Sequence, residues 1–187
     1  MFGHKLRLER EISTVQGQNN LMITDKITNF GFKPSPYTIL YHMNMGYPLL
    51  NEDAELIINP VKTTPRDIVA STGLKEFNLF SKPQAGYSEQ VFCHTMQAVQ
   101  ENKTFATLQN RKLGIALTIK FDMTMLPYLI QWKMMGQGEY VLGLEPSNVT
   151  GKNRKQLKDE NSLPYINPGE STTNCIEIFL NAISQPG

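Results

Sequence analysis

Two stretches of this 187-residue chain concentrate the side chains that can do chemistry. The first, Leu40-Tyr41-His42-Met43-Asn44-Met45-Gly46-Tyr47-Pro48-Leu49-Leu50, sets an imidazole and an amide among aromatic and apolar neighbours. A histidine at a strand end, followed by a Gly and a Pro that fix a turn, can present its ring to a cavity and donate a proton near neutral pH. The plainer alternative is a core histidine bonded to backbone. The second stretch runs from Trp132 to Pro146, and in it the apolar strand Tyr140 to Leu144 ends in Glu145. A carboxyl desolvated by such neighbours has its pKa pushed upward, which suits a base; the alternative is a strand-end charge reaching solvent. Four of the nine methionines, at 43, 45, 134 and 135, flank these segments and read as packing rather than as a metal device. Cys93 and Cys175 lie far apart without metal-ligand spacing, so neither a zinc site nor a disulfide framework is expected.

The elements that must position these groups are mostly strands, because the periodic segments alternate apolar and polar residues with period two. His4 to Thr14 and Leu21 to Asn29, joined by the polar turn QGQNN, read as a hairpin. Further strands are expected at Tyr37 to Met43, Glu55 to Asn59, Gln90 to Val99, Thr104 to Gln109, Gly114 to Asp122, Glu139 to Leu144 and Cys175 to Ala182. The stretch Pro60 to Phe80 is mixed, with Pro65 placed to open a short helix. Ser147 to Glu160 is polar and lysine-rich and reads as an exposed excursion. The count of strands makes the fold class all-β, a sandwich or a barrel, and the length suits one domain over 1–187.

Charge is balanced, with 18 Lys and Arg against 17 Asp and Glu, so no basic stripe for nucleic acid is present and a small or neutral partner is expected. The charged N-terminus lacks the apolar core of a signal peptide and no stretch is long enough to span a membrane, so a cytoplasmic protein is expected. The two sequons at Asn102 and Asn148 are then chance matches. There is no nucleotide loop, metal-ligand cluster or Ser-His-Asp order, hence no cofactor is expected and redox, phosphoryl-transfer and hydrolase chemistry have no support.

Taken together, Asp25 to Gly31, Leu40 to Leu50, Leu126-Pro127-Tyr128 with Trp132 to Met135, and Glu139 to Pro146 follow one another in an order and spacing that resemble the aldose 1-epimerase-like branch of the galactose mutarotase family. The resemblance runs from about residue 4 to about residue 183, through the turn Asn167-Pro168-Gly169-Glu170, and is to the C-terminal half of the family domain. It implies a β-supersandwich that holds a monosaccharide and interconverts its anomers. His42 matches the acid that protonates the ring oxygen, and Glu145 the base that takes the C1 hydroxyl proton. It further implies sugar contacts from Glu89, within Gly86-Tyr87-Ser88-Glu89, from Trp132 by stacking, from Lys133 and Tyr47, and from His94, for which a core position is the alternative. Family members are about twice this length, so unpaired strand edges are expected to call for a homo-oligomer or a separately encoded N-terminal half. Two other readings stay open: a non-catalytic carbohydrate-binding domain, and an inactive fragment that persists as an oligomer.

Overall fold

A computed structural model describes residues 3–185. The chain forms β1 (Leu6–Ser13), β2 (Asn20–Asn29), β3 (Ser35–Pro36), β4 (Met43–Met45), β5 (Ala54–Ile58), β6 (Pro60–Pro65), α1 (Ile68–Thr72), β7 (Gln90–Met96), β8 (Lys103–Asn110), β9 (Ile115–Asp122), β10 (Tyr128–Gly136), β11 (Glu139–Ser147), α2 (Arg154–Asp159), β12 (Tyr165–Ile166) and β13 (Ser171–Ala182). These strands make a six-stranded sheet in the order β1-β2-β13-β9-β8-β5, a five-stranded sheet in the order β4-β11-β10-β7-β6, and a small β12-β3 pair. One apolar cluster joins the two large sheets. Leu56, Leu108, Ile119, Phe121 and Ile176 enter it from the first, and Met45, Met96, Leu129, Met135, Leu142 and Leu144 from the second. Antiparallel sheets sharing one core are a sandwich, as the alternation of the sequence implied.

Alternation accounts for most of the strands. In β8 the burial runs half-buried, buried, half-buried, buried along Lys103 to Leu108, because every second side chain enters the core. The expected hairpin is present, with Leu6 opposite Asn29 and Ser13 opposite Met22. β10 and β11 are joined through Gln137 and Gly138, and Gly138 takes φ +84°, a left-handed turn conformation that glycine adopts without steric cost.

Four local expectations need correction. Residues 37–42 form no continuous strand, since Leu40 makes a single bridge to Ser147 and only Met43–Met45 pairs with β11. The segment is held by scattered backbone bonds, from the Tyr37 amide to the Pro164 carbonyl and from the Tyr41 amide to that of Pro146, and by the Asn148 side chain. Asn148 accepts from the Ile39 amide at 2.8 Å and donates to the Tyr37 carbonyl at 3.0 Å. Within the mixed stretch, Pro60–Pro65 is an edge strand, the position where prolines are tolerated because no partner needs their missing N–H. The helix that follows starts beyond Pro65, at Ile68, with Asp67 capping the Ala70 amide at 2.9 Å. The polar excursion contains α2, opened by an Asn153/Gln156 capping box and anchored by buried Leu157. Lastly, β11 continues through Ser147, so Glu145 lies inside the strand rather than at its end.

Both cysteines are free and partly buried. Among the described residues, no helix is long and apolar enough to cross a membrane.

Candidate functional site

Strand register decides which side chains can meet. On β10 the odd residues Leu129 and Met135 enter the core, so Tyr128, Ile130 and Trp132 face outward. Glu145 pairs with Ile130 and Gly143 with Trp132, which puts the carboxylate on that same outward face. Asn44 is opposite Gly143, and His42, two residues earlier, shares its parity. A histidine ahead of β4 and a glutamate on β11 thus converge, although 103 positions separate them in the chain.

His42 Nε2 and Glu145 Oε1 lie 3.0 Å apart. The two are unequally exposed: the Glu145 side chain is 6% accessible and that of His42 is 45%. Burial pushes the Glu145 carboxyl above its ordinary range, against the pull of His42. Gly143 makes the contact possible, because a Cβ there would stand 2.5 Å from Glu145 Oε1, 3.1 Å from Trp132 Cβ and 3.3 Å from His42 Cε1. The imidazole therefore rests on bare backbone. Trp132 meets it edgewise, with ring centroids 5.8 Å apart and planes at 68°.

A polar frame holds the tryptophan. Its Nε1 donates to Glu89 Oε2 at 2.6 Å, and Arg66 Nη2 donates to Glu89 Oε1 at 2.7 Å. Arg66 Nε also donates to Asp67 Oδ2 at 2.9 Å, so the frame ends on the residue that caps α1. The Arg66 guanidinium, and then the indole N–H, keep Glu89 below its usual carboxylate range and ionised. Glu89 is thereby a partner of Trp132 and Arg66. Nothing in the local sequence points to Arg66, whose partner Glu89 is 23 positions on.

A cleft of about 530 Å³ opens over the outward face of β6, β7 and β10, lined by Val91, Cys93, Ile130 and Arg66 among others; neither His42 nor Glu145 lines it, and it meets the pair through Ile130, the cross-strand partner of Glu145. Its volume falls within the usual range of small-molecule sites.

Two expected sugar contacts are on the wrong face. His94 is fully buried on the core side, its Nδ1 2.9 Å from Thr63 Oγ1 and its Nε2 3.0 Å from Gln131 Oε1, and burial lowers its pKa to about 4. Lys133 also points inward and donates to the Glu76 carbonyl at 3.0 Å, with burial lowering its pKa to about 8. Period two forbids neighbours such as Trp132 and Lys133 from sharing a face. Tyr47 is 82% exposed in the turn after β4.

Behind His42 lies a buried carboxylate. Asp25 is fully buried and accepts from Arg10 Nε and Nη2 at 2.7 and 2.6 Å and from Tyr41 Oη at 2.8 Å. Tyr41 immediately precedes His42, so this network fixes the backbone that carries the imidazole.

The sandwich has the galactose mutarotase-like fold, and solved structures with that fold superpose on it. A candidate aldose 1-epimerase from Klebsiella pneumoniae superposes with a TM-score of 0.91 at 28% identity over 96% of this chain and 47% of its own. A galactose mutarotase-like protein from Clostridium acetobutylicum gives 0.70 at 15% identity, covering 96% of this chain and 57% of that one. An aldose epimerase homologue from C. elegans gives 0.65 at 14%, covering 97% and 62%. The last two share the fold alone, and the chain spans about half the length of the Klebsiella protein. Residues 1–180 match the family described as domain of unknown function DUF4432, and the chain belongs to that family. No curated protein matches it.

Proposed function

We propose that the chain carries the acid–base pair of an aldose 1-epimerase-type isomerase that interconverts the anomers of a monosaccharide. The observation that carries this reading is the 3.0 Å contact between half-exposed His42 and buried Glu145 beside the cleft. Two groups of opposite proton affinity within reach of one ligand are what ring opening needs. Glu145 takes the proton of the C1 hydroxyl, His42 gives a proton to the ring oxygen, and the bond from C1 to that oxygen breaks as the carbonyl forms. Rotation about the bond to C1, then the reverse transfers, closes the ring as the other anomer. Trp132 offers an aromatic edge to the sugar, and Glu89 with Arg66 holds that edge in place. No bound cofactor enters these steps, and a free sugar of the cytoplasm is the substrate this reading expects.

A second reading, a carbohydrate-binding domain without turnover, is favoured by the direct contact of His42 with Glu145, since each already has its partner. Proton NMR of freshly dissolved α-glucose and α-galactose separates the two. Anomer exchange faster than buffer, lost in His42→Asn and Glu145→Gln, supports the isomerase; sugar binding retained in His42→Asn with no exchange in any form supports the binding domain.

A further inference from the structure

The charge around the cleft differs from that of the chain as a whole. Lys62, Arg66 and Lys152 line it, and no carboxylate does. Arg66 is engaged by Glu89 and Asp67, and Lys152 by Glu160 at 2.6 Å. Lys62 has no ion-pair partner among the described residues, and it lies at the register shift of β6 against β7, where a bulge re-aims side chains. Thr95, Tyr128 and Gln156 also line the cleft.

Geometry connects these groups to the His42 and Glu145 pair. Glu145 is the cross-strand partner of Ile130, Ile130 of Cys93, and Cys93 of Thr64, all on one face. Glu145 and the strand that bears Lys62 are therefore three strand spacings apart, roughly 14 Å between backbones. With side chains reaching inward from both ends, that span fits a sugar ring whose anomeric carbon is at Glu145 and whose far end carries an anion. A neutral sugar would leave Lys62 without an anionic partner, and an anion there would compete with Glu160 for Lys152.

We infer that the cleft takes a monosaccharide bearing an anionic group at the end remote from its anomeric carbon, a sugar phosphate being the simplest, with Lys62 and Lys152 holding that group. This deepens the isomerase reading and rests on it for the placement of the anomeric end. Substrate choice would then be set by two exposed lysines on different elements rather than by the acid–base pair.

The test is calorimetric binding of glucose, glucose 6-phosphate and inorganic phosphate to the whole chain and to the double variant Lys62→Met/Lys152→Met. Both lysines are exposed, so the variant is expected to fold, and circular dichroism checks that. Glucose 6-phosphate is expected to bind at least about tenfold more tightly than either other probe, with the preference reduced to about twofold in the variant. Added salt should weaken the sugar phosphate and leave glucose unchanged. Equal binding of glucose and its phosphate, inorganic phosphate binding as well as the sugar phosphate, or a preference that survives in the folded variant each overturns the inference. Binding of the sugar phosphate without anomer exchange keeps the anion site and sinks the isomerase reading, whereas exchange of glucose alone does the reverse.

Discussion

Gly143 is the residue on which the pairing of His42 with Glu145 depends sterically. Gly143→Ala puts a methyl group 2.5 Å from Glu145 Oε1, so the carboxylate must move. Anomer exchange is expected to fall at least about tenfold, corresponding to about 1.4 kcal/mol of barrier, while the circular dichroism spectrum stays native. Full activity in the alanine variant would show that the observed pairing is not the working one. Glu145 itself should trade stability for chemistry. Its folded-state pKa is raised by burial, so above the ordinary carboxylate value of 4.5 the native state holds its proton more tightly than the unfolded chain, and stability falls as pH rises through that window. Glu145→Gln is accordingly expected to abolish exchange yet raise the melting temperature at neutral pH, with no gain at pH 4. A lower melting temperature at neutral pH would instead make the ionised carboxylate a net stabiliser through His42.

The strands and their connections hold the site through groups that take no part in it. His94 ties β7 to β10 through Gln131, and the neutral ring is the buried form. Its pKa falls from 6.5 to about 4, so the unfolded state binds the extra proton in between, and stability is complete above pH 6.5 and lost on acidification toward pH 4. That loss amounts to about 3 kcal/mol. Urea titrations across this range should show it, and His94→Gln should flatten the slope; an unchanged slope would assign the acid sensitivity elsewhere. Asp25→Asn should be costly, since it takes the charged acceptor from Tyr41 and from the partly exposed Arg10, and a loss of about 1.5–3 kcal/mol is expected from the same titrations. A loss under about 1 kcal/mol would mean that the Arg10 contact adds little.

How far the sequence disclosed these elements depended on where alternation survived. β8, β9 and the hairpin of β1 and β2 were legible because one face is buried and the other is not. β10 was missed as a strand because its outward residues Ile130 and Trp132 are apolar too, floor and wall of the site region, so the period vanished. His42 and Glu145 could be singled out by local composition and resemblance. Arg66 could not, because its role arises only where β6 and α1 approach Glu89. Lys133 was grouped with its neighbour Trp132, which on a strand means the opposite face, whereas the core alternative for His94 is the one observed.

For the molecule as a whole, the open feature is the β1 edge. Leu8 and Ile12 share the parity of Arg10, whose side chain turns inward to Asp25, yet they are 49% and 59% exposed. An edge strand with uncovered apolar side chains is a template for pairing. We propose that a second copy of the chain covers it. Light scattering of the purified chain should give a dimer or larger species, and Leu8→Lys should return it to monomer; a stable monomer with an intact fold would overturn the proposal.

The central claim is that His42 and Glu145 move the protons of anomer exchange, and the direct measurement is exchange spectroscopy by proton NMR on equilibrated sugar at neutral pH. Glucose and glucose 6-phosphate serve as substrates, with the chain, its Glu145→Gln form and buffer compared side by side. Exchange above the buffer rate is expected for the native chain, with a return to that rate in the folded Glu145→Gln variant. Equal rates for the native chain and the variant, whether both accelerated or both at the buffer level, would contradict the claim.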